Sequence, residues 1–166
     1  MNFHRDEQLR GALRRWWGGL EHDRAARAEL RRAANITAVT LTPAYQRAYR
    51  RLLEAGWPET ASEPQNDRLA AVVGLLAHVK ADDTRTPSAT MSARDGSERP
   101  ALSPMRFQRL LESPDLDTLY TGLRRALPLV KHQINLVALA NDLVYWGDAV
   151  KKRWAYDYDW PQKGTD

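Results

Sequence analysis

Cap residues stand directly before prolines at Thr42-Pro43, Ser103-Pro104 and Ser113-Pro114-Asp115. A hydroxyl or carboxylate there accepts an N–H from the first helical turn. Proline one position later costs no hydrogen bond, because that N–H has no intrahelical partner anyway. No long alternation of apolar and polar residues runs between these breaks. The chain therefore reads as all-α, a two-lobed bundle of about seven main helices. The spacing predicts helices over about 6–17 (stopped at Gly18-Gly19), 23–34 (Asp23 as cap, Asn35 as stop) and 42–55 (ended by Gly56). It predicts further helices over about 67–81 (opened by Asn66 or Asp67), 103–112 and 115–127, with Pro128 closing or kinking the last turn. A long final helix is expected from near 133–135 to about Tyr156.

Between these helices, residues 82–102 are polar, rich in Ser, Thr and Pro, and aperiodic, which predicts a mobile loop. The expected organisation is an N-terminal lobe over 1–81, that loop, a C-terminal lobe over 103–158 and a frayed tail over 159–166. With 166 residues, 43% of them hydrophobic, there is enough apolar material for one shared core. Cysteine is absent, so neither a disulfide framework nor a thiolate site is expected. The N-terminus has no apolar h-region and no run approaches the roughly 18 apolar residues of a span, so a soluble cytoplasmic protein without a membrane role is expected.

The base content is unusual in kind: 20 Arg against 5 Lys. Guanidinium is a planar fork that matches phosphate, whereas ammonium is a point charge. Residues 1–55 carry net +5 and 106–156 net +3, flanking a middle of net −2. Two basic regions distant in sequence suit a polyanion-binding face. On the second predicted helix, Arg24, Arg27 and Arg31 share one stripe, opposite Ala26, Leu30 and Ala33. Arg31 has no acid within helical reach, so its partner must come from elsewhere in the fold or from a ligand. The competing reading is surface ion pairing, as at Asp23–Arg27 and Arg50–Glu54, which is common and weak. Lys151-Lys152-Arg153 also has a simple reading as cations near a helix C-terminus. Of the aromatic residues around it, Trp146 and Trp154 are expected in the core. Trp57, just past Gly56, reads as a hydrophobic plug.

Catalytic signals are sparse. His78 with Asp82 and Asp83 has metal-ligand spacing, but no second ligand motif accompanies it, and a solvated helix end is the better reading. No glycine-rich phosphate loop or nucleophile motif occurs. No catalytic residue, cofactor or metal is expected.

The stretches "RFQRLLESPDLDTLYTGLRRALPLV" and "LVALANDLVYWGDAVKKRWAYDY" resemble the small α-helical subunit of the type I-E CRISPR surveillance complex Cascade, the CasB family. "WWGGLEHDRAARAELRRAA" and "RLAAVVGLLAHV" are similar to that family's N-terminal and middle helices. The ordered set spans residues 9–158. The resemblance implies an all-α, non-enzymatic subunit present in two copies beside the guide RNA. Its partners are other Cascade proteins, guide RNA, target DNA and the displaced single strand, which it helps keep apart as an R-loop. Guide pairing reads the sequence and protein contacts stabilise the opened state. Carried over by motif, the nucleic-acid-binding positions are Arg31 and Arg32, then Arg106, Arg109, Arg124 and Arg125, then Lys151, Lys152 and Arg153. Arg24 and Arg27 join them from spacing alone. Adjacent helical residues lie about 100° apart, so one of each arginine pair is expected to face inward or toward a neighbour. Arg31 is preferred over Arg32 for phosphate. The chain departs from the family over "TMSARDGS", residues 90–97, from where Lys80, Arg94 and Arg99 remain within reach of nucleic acid.

Two other classes stay open. A protein–protein adaptor would pair its arginines with acids on partners. A helical transcription regulator would need a tight helix-turn-helix, and the link between the second and third predicted helices is about eight residues, too long for that turn. A metal-dependent nuclease built on Asp82 and Asp83 is more distant.

Overall fold

The structure, a computed structural model, describes residues 1–162. Ten α-helices follow in chain order: α1 (Glu7–Gly19), α2 (Arg24–Arg32), α3 (Ile36–Thr40), α4 (Pro43–Glu54), α5 (Glu63–Leu76), α6 (Pro87–Ser92), α7 (Pro104–Leu111), α8 (Leu116–Ala126), α9 (Leu136–Val144) and α10 (Asp148–Asp157). Among the described residues there is no β-strand, only an isolated bridge between Ala81 and Gln133.

Side-chain caps define the helix starts. Asp6, Asp23, Asn35, Thr42, Ser62, Thr86, Ser103, Asp115 and Asn135 each accept a backbone N–H from the first turn of the helix that follows. Each cap contributes about 1 kcal/mol relative to alanine. At Ser62 the motif is reciprocal: Gln65 N–H donates to Ser62 Oγ and Ser62 N–H donates back to Gln65 Oε1.

Helix α5 is the axis of the molecule. Leu69 through Leu76 are all buried, so it has no solvent face over its second half and must be surrounded. It packs against α9, itself almost wholly apolar, and against α3, α8, α2 and α4. Gly74 permits the closest approach: a Cβ there would lie 2.5 Å from Tyr120 Oη and 2.9 Å from Val39. Tyr120 is fully buried, and its hydroxyl donates to the Ala33 carbonyl at the end of α2. One hydrophobic core runs from Phe3 to Tyr158 and draws on both expected lobes. Trp57 and Trp154 lie within it as expected, with Trp146 packed against its edge.

Several expectations need correction. Helix α1 runs through Gly18-Gly19, because glycine in a last turn removes no hydrogen bond. Asn35 does not stop a helix; it caps the short α3, which occupies the supposed α2–α4 link. Helix α5 opens at Ser62, earlier than Asn66, and ends at Leu76. The polar stretch 82–102 is not all loop: Thr86 and Pro87 start α6, whose Ser88, Thr90, Met91 and Ser92 are buried. It is stitched down by Thr86 Oγ1–H donating to Asp157, by an ion pair from Arg94 to Asp159 at 3.1 Å, and by the Leu102 carbonyl accepting from Tyr158. Small side chains let it lie close to α10, which is why its apolar content looked too low to pack.

The long final helix is two. It breaks at Tyr145–Gly147, where Arg68 of α5 donates to the carbonyls of Val144 (3.2 Å) and Trp146 (2.7 Å). These are carbonyls that a helix end leaves without partners. Lys151, Lys152 and Arg153 consequently sit in the middle of α10, with no basic residue in its last turn, and the helix-dipole account of them does not apply. Of the tail, 159–162 follow α10, Trp160 donating to the Ala155 carbonyl; 163–166 lie outside the described residues. Among the described residues no helix is long and apolar enough to cross a membrane.

Candidate functional site

The basic residues fall into three settings. The first is the junction of α2 and α8 over the end of α5. Arg124 lies half-buried over the Tyr120 ring, 5.7 Å from its centroid, and its Nη2 donates to the Arg31 carbonyl at 2.8 Å. The Arg31 side chain is exposed. Arg27, one turn before Arg31 on α2, donates weakly to the Val79 carbonyl at 3.4 Å, which also accepts from Trp17 Nε1. His78 lies beside them, held from behind by a contact between His132 Nδ1 and its own carbonyl. Burial first, then the charges of Arg124, Arg31 and His132, push the His78 pKa from 6.5 down to about 4. The imidazole is thus neutral near pH 7.

Among the described residues no carboxylate pairs with Arg27, Arg31 or Arg124. Moreover, Arg27 Nε, Arg124 Nε and His78 Nε2 are buried without a hydrogen-bond partner. Leaving such groups unsatisfied costs about 1–3 kcal/mol each. The junction thus carries positive charge that no acid among the described residues answers. The expected ion pairs Asp23–Arg27 and Arg50–Glu54 do not form; Asp23 instead caps α2.

The second setting is a groove of about 600 Å³ between α7 and α8. Arg106, Arg109 and Arg125 line it above a floor that includes Leu102, Leu110 and Leu129. These three guanidinium groups also lack partners among the described residues. The adjacent pair Arg124-Arg125 is therefore divided: Arg124 serves the first setting and Arg125 the second. Arg31 and Arg32 are both exposed, so neither member of that pair faces the core. Arg24 and Arg32 are exposed on α2 and have no ion-pair partner among the described residues.

The third setting is α10. Arg153 is bound to Asp142, a carboxylate only 2% exposed, at 2.5 Å, and Trp154 Nε1 donates to the same group at 2.8 Å. The bond to Asp142 holds the Arg153 proton more tightly than usual. Its charge is already answered inside the protein. Lys151 is half-buried and Lys152 exposed, and neither lines the two settings above.

Asp82 and Asp83 are spoken for. Asp82 pairs with Arg14 at 2.8 Å and accepts from Leu136 N–H; Asp83 binds Arg85 at 2.9 Å. Among the described residues no group of three or more potential metal ligands converges. Sequence reasoning missed His78 as part of the α2–α8 junction, since a lone histidine past a helix end gives no signal of its neighbours. It also missed Lys131, whose left-handed backbone (φ 58°) follows a 3-10 turn; Pro128 marks the turn but says nothing of the residue after it.

Residues 26–158 match the model of the family described as CRISPR-associated protein Cse2. A search of the curated proteins gave no match. A chain in the crystal structure of E. coli Cascade bound to a PAM-containing dsDNA target is similar in fold, with a TM-score of 0.65 at 20% identity, over 89% of this chain and 91% of that one.

Proposed function

Because the chain belongs to the CRISPR-associated Cse2 family, we propose that it is the non-catalytic small subunit of a type I-E RNA-guided surveillance complex, holding nucleic-acid backbone to stabilise an R-loop. In this reading the displaced strand follows the unpaired arginines of α2, α7 and α8. The proposal extends to the wider set of Arg24, Arg32, Lys151 and Lys152, and to a second copy of the chain in the complex. The observation that carries it is the α2–α8 junction, where Arg124 docks on the Arg31 carbonyl and, among the described residues, none of Arg27, Arg31 and Arg124 pairs with an acid. Strand phosphates bring the missing acceptors in a regular row and make no demand on base identity. The planar guanidinium fork is pre-organised, so less side-chain entropy is lost per hydrogen bond than with lysine.

The test is fluorescence anisotropy of the chain on labelled single-stranded DNA across a salt series, paired with R-loop lifetimes of the assembled complex. Sequence-independent binding is expected, with a log–log salt slope that flattens by roughly 0.7 for each phosphate contact removed. Equal R-loop lifetimes with and without this chain would refute the reading. Absence of any salt-sensitive binding, alone and in the complex, would favour the adaptor.

A further inference from the structure

A second cavity, of about 470 Å³, lies between the segment after α6 and the turn after α8. Its polar lining includes Arg85, Thr90, Arg94, Asp95, Arg99 and Lys131. Four cations thus face one carboxylate. That carboxylate is not free: Asp95 takes a 3.5 Å contact from Arg85, which binds Asp83 more closely at 2.9 Å. Arg94 holds Asp159. Arg99 and Lys131 have no side-chain partner among the described residues.

The Thr90 side chain points to a ligand independently. Thr90 is 4% exposed, and its Oγ1 is buried with no partner. Buried hydroxyls are nearly always satisfied, so this one calls for an acceptor. Both rims of the cavity also hold non-glycine residues in the left-handed region, Asp95 (φ 37°) on one side and Lys131 (φ 58°) on the other. Such backbone persists only where its surroundings over-determine it. At Lys131 they do: His132 N–H donates to the Leu127 carbonyl at 2.8 Å, and the His132 carbonyl accepts from Lys80 N–H at 2.7 Å.

We propose that this cavity is a phosphoryl-binding site, with Arg99 and Lys131 supplying charge and Thr90 donating one hydrogen bond. A tetrahedral anion accepts from all three at once, and the volume leaves room for the sugar of a nucleotide beside its phosphate. Leu129 lines both this cavity and the α7–α8 groove, so a strand in the groove passes its mouth. The phosphate has two possible sources, an oligonucleotide or a free anion. The site does not depend on the strand-holding reading, since a free phosphate suffices to fill it.

The full chain is titrated with inorganic phosphate in chloride buffer, then with 5′-phosphorylated and 5′-hydroxyl thymidine oligomers. The amide resonances of Thr90, Arg99 and Lys131 report occupancy. Saturable shifts are expected, weakened about tenfold by Arg99→Gln, the loss of one charge-assisted hydrogen bond. Thr90→Val, which keeps the shape and removes only the hydroxyl, weakens them to a smaller degree. Arg47→Ala, at an exposed position of α4 that lines neither cavity nor groove, leaves them unchanged. Response to inorganic phosphate assigns a free-anion source; response only to the phosphorylated oligomer assigns a terminal phosphate; equal response to both oligomers assigns a backbone phosphate. No saturable shift from any of the three probes overturns the proposal, as does equal affinity in wild type, Thr90→Val and Arg99→Gln. Strand binding by anisotropy that persists in such a failure leaves the strand-holding reading standing.

Discussion

The arginine of α10 and those of the α2–α8 junction look alike in sequence and differ in what they face. Arg153 sits on a buried carboxylate that also takes the Trp154 indole N–H. Arg124 donates to the Arg31 carbonyl and Arg27 to the Val79 carbonyl, and among the described residues none of the three arginines pairs with an acid. Both are arginines of a basic run on a short helix. One set completes the fold and the other leaves charge over. A count of basic residues cannot separate them; the location of the acids can.

The largest expected effect breaks the α10 side of this contrast. Arg153→Ala leaves Asp142 buried with only the indole to satisfy it. Removing one partner of a buried pair costs about 3–5 kcal/mol. Because the Arg153 side chain is 55% exposed, the cost should fall at the lower end of that range. Urea unfolding is expected to show it, with the salt slope of strand binding unchanged. A flattened slope with full stability would reverse the roles assigned to the two regions.

Gly74→Ala tests the junction's foundation. The added Cβ meets Tyr120 Oη at 2.5 Å, and that hydroxyl cannot swing away without abandoning the Ala33 carbonyl. Overpacking of this kind costs about 1–3 kcal/mol. It should also loosen α8 against α2, so strand affinity is expected to fall along with the denaturation midpoint. Stability equal to wild type would mean that Tyr120 has slack the structure does not suggest.

Arg31→Ala sharpens the contrast from the other side. Its side chain is exposed and unpaired, so stability should change by no more than about 0.5 kcal/mol. The salt slope should nevertheless flatten by roughly 0.7. A stability loss without a change in slope would place Arg31 with Arg153, among the residues that hold the fold.

These contrasts also mark where the sequence was legible. Asp23, Thr42, Ser103 and Asp115 announce helices because a cap and the N–H it satisfies are three residues apart, a relation wholly local to the chain. The apolar runs of α5 and α9 are local features too, but nothing local says which helices surround them. What failed depended on distant partners. The break after Val144 is secured by Arg68, far away in sequence, and no local signal in an apolar run reveals it. That break decides the fate of Arg153. In one continuous helix Asp142 and Arg153 would be about 16 Å apart along the axis, at 1.5 Å per residue. Folded back at Gly147, they meet at 2.5 Å. Likewise Arg31 was read as lacking a local acid, but only the fold brings Arg124 and His78 beside it.

His78 supplies the gentlest probe, because it registers the junction's charge without carrying it. The groups facing it are Arg31 from α2, Arg124 from α8 and His132 from the turn before α9, all positive when charged, and burial adds to their effect. Its folded pKa, about 4, lies below the ordinary 6.5. The unfolded chain therefore binds more protons between those values. Stability from this residue is fully present above pH 6.5 and is lost as pH falls toward 4. A phosphate strand laid across Arg31 and Arg124 offsets the two charges that depress the pKa while leaving the burial. The His78 pKa should then rise on binding but stay below 6.5. By linkage, strand binding takes up a fraction of a proton in that window and tightens as the pH drops through it. An NMR titration of His78 with and without a thymidine oligomer measures the shift directly, and His78→Gln should abolish the corresponding pH dependence of affinity. An unmoved His78 under saturating strand would mean that the phosphates bypass the α2–α8 junction, and would shift the path to the α7–α8 groove.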